Sequence, residues 1–191
     1  MPLNSEFLKL LERKNARTSV GPSAARGMGP KGTIAAACVF LEGYDLRKIK
    51  TGSNETFQLK LNQATDDLKN SLPDGAQHWG SSREFFNLFL MSALYDKYIC
   101  QHYGLDILEP WLELPLDSHV SKGLKSEPEG ASLPRWNTVI GLLPEESLAF
   151  QRVASEVAKR KKTHRVHLDL LYWRGDHMTN QCVQRTGATS R

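Results

Sequence analysis

The stretch that most constrains this 191-residue chain is the run at 81–103, SSREFFNLFLMSALYDKYICQHY. Read at helical spacing, Phe85, Phe86, Phe89, Leu90, Ala93, Leu94, Tyr98 and Ile99 cover more than half the circumference of a single long helix. A helix apolar over that much of its surface has to be wrapped by other elements, so it predicts a helix in the middle of the fold. Ser81 with Glu84 three residues on has the pattern of a capping box. Gly104 is the residue expected just past a helix end. Arg83, Asn87 and Lys97 are the polar exceptions on this run, each read either as a solvated or hydrogen-bonded side chain or as a functional group.

The rest of the chain supplies the wrapping. Residues 4–15 place Phe7, Leu8, Leu10 and Leu11 at helical spacing and predict a docking helix. Residues 16–32 read as a Gly/Pro/Ser-rich basic loop, with Arg17, Arg26 and Lys31 set among small residues. The loop is either a phosphate-following segment or a plain connector, and it holds no complete phosphate-loop signature. The alanine-rich run after Thr33 predicts a central helix that breaks at Gly43 and Asp45. A further helix is expected from Phe57 to about Asn70, capped by Asn54 or Thr56, with Leu59, Leu61, Ala64 and Leu68 inward. Pro144 with Glu145 and Glu146 marks a strong helix start, and Lys159-Arg160-Lys161-Lys162 suits its C-terminus. Residues 164–173 predict a last apolar helix, and those after Gly175 lack periodicity. Alternating strand patterns are scarce, so the expected fold is all-α, one compact helical unit over 1–191. Its parts are 1–32, 33–125 and 126–191, with a polar loop at 126–134 that is a candidate hinge.

Composition narrows the function classes. Hydrophobic residues make up 40% of the chain, enough for a real core. The formal charge is +4, from 25 Lys and Arg against 21 Asp and Glu, which permits nucleic acid without demanding it. Cys38, Cys100 and Cys182 lie far apart, with no ligand spacing for zinc or an iron–sulfur cluster, so no metal and no cofactor are expected. The cysteine pattern, the polar N-terminus and the lack of a long apolar span read as an intracellular, cytoplasmic or nucleoid protein.

The stretch that carries chemistry is Leu114-Pro115-Leu116-Asp117-Ser118-His119-Val120. Pro115 stops what precedes it, and Asp117 is placed to cap a short helix whose apolar edge is Val120 and Leu124. The carboxylate has two uses. It either satisfies the free amides of the first turn, worth about 1 kcal/mol, or it faces a groove and stabilises developing positive charge or orients water.

Pro115, Asp117, Ser118, His119, Val120 and Lys122, preceded by the long helical run, the turn at Gly104 and the connection through Trp111, resemble the aspartate segment of the helix-hairpin-helix DNA glycosylase superfamily. The layout is nearest to its archaeal 8-oxoguanine glycosylase branch. The resemblance covers the middle third of the chain. It implies an all-α fold with a cleft beside the helix that starts at Asp117, duplex DNA with a damaged or modified base as partner, and Asp117 as the residue that assists cleavage of the N-glycosidic bond. The chain departs from the family in having no Leu-Pro-Gly-Val-Gly hairpin. It also carries Arg83-Glu84 where a nucleophilic lysine would start the long helix, so a lyase activity is not implied. Lys97, further along, is the one lysine at a suitable separation.

DNA contacts are expected from Arg83, Asn87, His119, Lys122, Arg135, Lys161 and Lys162. Trp136, Trp111 or Trp79 would stack on a flipped base, while general burial habits favour a buried anchor for Trp136. The alternative is a non-catalytic helical DNA-binding or interaction protein on the same scaffold.

Overall fold

The computed structural model describes residues 4–172. Among them the chain is all-helical, with eight α-helices, four short 3-10 turns and no strand. Helix α1 (Ser5–Ser19) starts at Asn4, whose side chain accepts the Glu6 amide. It buries Leu8, Asn15 and Ala16, while Phe7 and Leu10 face outward, so its inner face is narrower than the spacing predicts. Helix α2 (Thr33–Gly43) and helix α3 (Asn54–Ser71) follow; the true cap of α3 is Ser53, which accepts the Thr56 amide. Leu61, Ala64 and Leu68 point inward as expected, but Leu59 is 65% exposed.

The central run differs from its prediction at its start and in its middle, while Gly104, left-handed at φ 61°, stands just past its end as expected. Helix α4 (Trp79–Tyr95) begins two residues before Ser81, and Asp96 ends it. Asp96 then caps a separate helix α5 (Lys97–Tyr103) by accepting the amides of Tyr98 and Ile99. A short carboxylate that finds two free amides offers the backbone a local alternative to helix continuation, which is why one helix becomes two. Ser81 and Glu84 are therefore inside the first turns of α4, both buried, and form no capping box. Gly80 lets this end of α4 come close to its neighbour: a Cβ there would stand 2.0 Å from the Val139 carbonyl oxygen.

After a 3-10 turn at Leu105–Leu108, an irregular stretch leads to helix α6 (Ser118–Ser126). The polar loop that read as a candidate hinge holds a 3-10 turn, Pro128–Ser132, and forms a fixed corner. A Cβ on Gly130 would meet the Leu124 carbonyl at 2.0 Å, and Glu127 and Glu129 both hold Arg160. Helix α7 (Pro144–Arg160) starts where the sequence places it, with Glu146 accepting the Leu143 amide. A 3-10 turn, Arg165–His167, runs into the short helix α8 (Leu168–Tyr172). Trp173, Cys182 and the aperiodic end after Gly175 lie outside the described residues.

The apolar interior is split in two. One cluster gathers α1 to α5 around Phe57, Phe85, Phe86, Phe89 and Ile99. The other gathers α6, α7 and α8 around Leu114, Leu116, Val120, Leu124, Phe150, Val157 and Leu168. The first turns of α4, the connection at 109–117 and the strap at 165–169 run between them, with Val166 buried in the first cluster and Leu168 in the second. The described helices include none long and apolar enough to cross a membrane.

Candidate functional site

The seam between the two clusters is where buried polar residues concentrate, and Asp117 sits at its edge. The carboxylate caps α6 by accepting the Val120 amide at 2.8 Å. The connection that delivers it is held from three sides. Gln151 of α7, 1% exposed, both accepts the Leu114 amide and donates to the Leu114 carbonyl. Arg165 donates to the carbonyls of Trp111 and Leu112. Glu113 is tied to α4, with its Oε2 3.0 Å from Arg83 Nε and accepting from Asn87 Nδ2. Backbone groups in an irregular buried stretch have to find partners, and here long side chains supply them. Asp117 is thereby fixed in place from both clusters.

Arg83 and Asn87, expected at a DNA surface, are instead interior residues of this knot. Arg83 is 5% and Asn87 3% exposed. The Arg83 guanidinium also donates to Thr65 Oγ1 and Asn62 Oδ1 and lies over the Trp79 ring. Burial pulls its pKa down while Glu113 pulls it up. A cation that costly to desolvate is kept in the interior by its partners, so it has no reach to a phosphate.

The neighbouring residue lives in the opposite environment. Glu84 is 6% exposed and its Oε2 has no hydrogen-bond partner within the protein. Burial drives its carboxyl well above the usual range, and the charges of Asp117 and Asp169 push the same way, with only the Leu116 amide opposing. Asp169, at the start of α8, is raised to about 6 by burial and then by the Asp117 charge. Glu84 and Asp169 thus both feel the charge of Asp117 across the seam. Two buried serine hydroxyls, Ser81 one turn before Glu84 and Ser121 one turn after Asp117, are also without partners. Among the described residues no group of three or more His, Cys, Asp or Glu side chains is placed to hold a metal ion.

Beside this trio lies a second polar array. His167 Nε2 is 2.6 Å from Glu109 Oε1, and its Nδ1 is 2.7 Å from the Tyr95 hydroxyl. The Glu109 carboxylate accepts from Nε2–H, and Nδ1 of the neutral ring then accepts from the Tyr95 hydroxyl. The Tyr95 phenol is pushed up to about 12, by burial first and then by Asp169 and Glu109. This array latches the strap at 165–169 to the end of α4.

The other residues singled out from the sequence divide cleanly. His119 and Lys122 are exposed on α6, and Arg135 is exposed in the loop before α7. Trp136 is no free stacking surface, because its ring packs edge-on against Phe150 at 5.4 Å. Trp111 packs on Phe57 and Trp79 under Arg83. Lys161 pairs with Glu127 at 3.1 Å, whereas Lys162 is exposed at φ 56°. Lys97 is exposed at the start of α5, a helix that packs on α1 and α4, while the Asp117 helix packs on α7 and α8. In the sequence Glu84 has the letters of a capping residue, and Asp169, Gln151 and Arg165 carry no local signal. The one legible signal was an acid and a cation set into the most apolar helix of the chain.

Compared with protein-family models, with curated proteins and with solved structures, the chain has no match.

Proposed function

We propose that this protein is a DNA glycosylase-like enzyme that hydrolyses the N-glycosidic bond of a damaged or modified base. The observation that carries the reading is Asp117, capping a helix at the seam beside two carboxyl groups, Glu84 and Asp169, that burial makes harder to ionise, Glu84 far more than Asp169. Glycosidic cleavage passes through an oxocarbenium-like sugar, which an ionised carboxylate stabilises. Acid–base chemistry near neutral pH is supported where neighbouring carboxyls differ in environment. Lys122, Arg135 and Lys162 are exposed cations available to phosphates, and His119 is exposed beside Lys122. A Schiff-base route has no support, since Glu84 stands at the start of the central helix and Lys97 belongs to another layer.

The test is incubation with duplexes that each carry one damaged or modified base, followed separately by alkali and by borohydride trapping. Base release with strand breaks only after alkali is expected. Asp117→Asn should lower release by about 10²–10⁴-fold, the usual worth of a positioned acid–base group, while sparing duplex binding. Equal binding of intact and damaged duplexes without any release would replace this reading with the non-catalytic DNA-binding one.

A further inference from the structure

We propose that the cavity between α1, the end of α2 and α5 is a binding site for a small organic ammonium ion, a primary monoamine with a short apolar chain. The site is separate from the seam and stands independently of the glycosidic reading, because α1 packs on α2, α4 and α5, whereas the Asp117 helix packs on α7 and α8. The cavity measures about 190 Å³. That is below the roughly 300–1,000 Å³ of pockets for drug-sized ligands, so its occupant is small.

What the cavity offers is acceptors. Asn15 is 5% exposed and lines it, and its Nδ2 donates to the Phe89 carbonyl at 3.3 Å, which fixes the orientation of the amide. Its Oδ1 then receives no donor among the described residues. Unlike the unpartnered oxygens of Ser81, Glu84 and Ser121 it is not sealed in, so the surface that Asn15 keeps opens on the cavity. One turn earlier on the same face of α1, Glu12 accepts from the Tyr103 hydroxyl, a neutral partner, and it forms no ion pair among the described residues. Burial and that hydrogen bond hold the phenol above its ordinary range, so Tyr103 stays the donor. The third acceptor is main chain. Helix α2 ends at Gly43, which has no side chain and therefore lines the cavity with backbone. Of the carbonyls in that last turn, only the one of Leu41 meets an amide among the described residues, from Tyr44. Glu42 and Asp45 also border the cavity but are already matched, Glu42 by Arg17 and Asp45 by Arg47 at 2.9 Å.

These acceptors select a cation, and their spread selects an organic one. Among the described residues no three His, Cys, Asp or Glu side chains are placed to hold a metal ion, whereas an ammonium group brings three N–H donors of its own. Leu41, Leu46 and Phe89, each at most 3% exposed, form the apolar side of the cavity, where a short alkyl chain replaces water. A second ammonium has no matching place. The adjoining hollow shares Gly43 and Tyr44 with this cavity and is bordered by Lys48 and Lys60 against Asp67 alone, so a diamine reaching into it meets net positive charge.

The experiment is a nitrogen-15 NMR titration of the full chain with butylammonium chloride, run in parallel with butanol, sodium butyrate, 1,4-diaminobutane and magnesium chloride. Butylammonium is expected to give saturable shifts of the Asn15 side-chain amide and of the backbone amides at 41–46. Butanol, butyrate and magnesium should give none over the same concentrations, and the diamine should bind more weakly. Glu12→Gln removes the charge and keeps the shape, and it should weaken butylammonium binding about tenfold or more, the worth of one charge-assisted hydrogen bond. Asp45→Asn keeps the cap on the Arg47 amide but releases the Arg47 guanidinium beside the cavity, and it should weaken binding as well. Glu156→Gln, exposed on α7, should change nothing. An amide spectrum matching wild type away from the cavity separates a lost contact from a lost fold in each variant. No saturable shift at Asn15, an equal response to butanol, a preference for butyrate or magnesium, a diamine bound as tightly as the monoamine, or unchanged affinity in Glu12→Gln would overturn the proposal.

Discussion

Arg83 and Glu84 are adjacent in sequence and equally buried, yet they end in contrasting regions of the seam. Arg83 enters a knot in which its charge meets Glu113, its remaining donors meet Thr65 and Asn62, and its flat face meets Trp79. Glu84 enters a region where its neighbours carry the same charge and one oxygen meets nothing. The first region pairs opposite charges and ties α4 to the connection at 109–117, although Arg83 Nε and Asn87 Oδ1 make no hydrogen bond there. The second sets a buried acid among like charges, the kind of environment in which strongly shifted titratable groups are found. Both regions are needed, since the knot fixes the connection that delivers Asp117 to the trio.

The contrast is broken most severely at Arg83. Arg83→Met strands Glu113 as an uncompensated buried charge, and a loss of about 3–5 kcal/mol in urea unfolding is expected. Replacing Glu113 by Leu in the same chain should restore most of that loss, which a double-mutant cycle would measure. Next comes Asp169, whose sign is opposite. Its carboxyl titrates near 3.8 in the unfolded chain and about 6 in the folded one, so the folded state holds the extra proton between those values. Stability therefore falls as pH rises through that window, by roughly 2–3 kcal/mol, and is flat above it. Asp169→Asn should remove this slope, read as urea midpoints between pH 4 and 7. Glu84→Gln should act in the same direction and make the protein more stable at pH 7, because the folded state no longer has to hold a proton that the unfolded chain releases. A Glu84→Gln variant less stable than wild type would contradict the contrast drawn above.

A smaller effect tests the packing that brings Asp169 over Asp117. Helix α8 lies on α6 only because Gly123 has no side chain: a Cβ there would stand 2.3 Å from the Tyr172 ring, whose hydroxyl donates to Glu127. Gly123→Ala should cost about 1–3 kcal/mol through overpacking. By shifting α8 it should also lower the raised Asp169 pKa, visible in a carbon-13 titration. Loss of stability with an unmoved Asp169 titration would show that the strap at 165–169, latched by His167 between Tyr95 and Glu109, positions Asp169 without help from α8 packing.

Periodicity and capping made much of this architecture legible. The all-α class, the burial of α4, the starts of α2 and α7 and the placing of Asp117 at the head of α6 all follow from side chains within one or two turns of each other, and short-range sterics and amide capping act over that distance. Local pattern and structure part where a pattern has two outcomes of similar energy. Ser81 and Glu84 have the letters of a capping box, but α4 starts at Trp79 and turns both inward. Asp96 has the letters of a helix surface, but its carboxylate captures two amides and ends α4. Leu59, Phe7 and Leu10 carry the letters of an inner face and lie outside, because the number of neighbours available to a helix is not written in the helix itself.

By itself, then, the sequence determined which segments are helices, which helix is central, and which aspartate heads a helix, since each depends on contacts a few residues apart. Only the tertiary structure decided that Arg83 and Asn87 belong to the interior, that Trp136 is an anchor on Phe150, that Lys97 stands in a different layer from Asp117, and that Glu84 and Asp169 face Asp117. The physical reason is desolvation: a charged side chain has the same chemistry at any position in the chain. Whether it becomes a solvated surface group, a paired structural ion or a proton-loaded acid depends on what chain segments tens of residues away bring beside it and on how much water they remove.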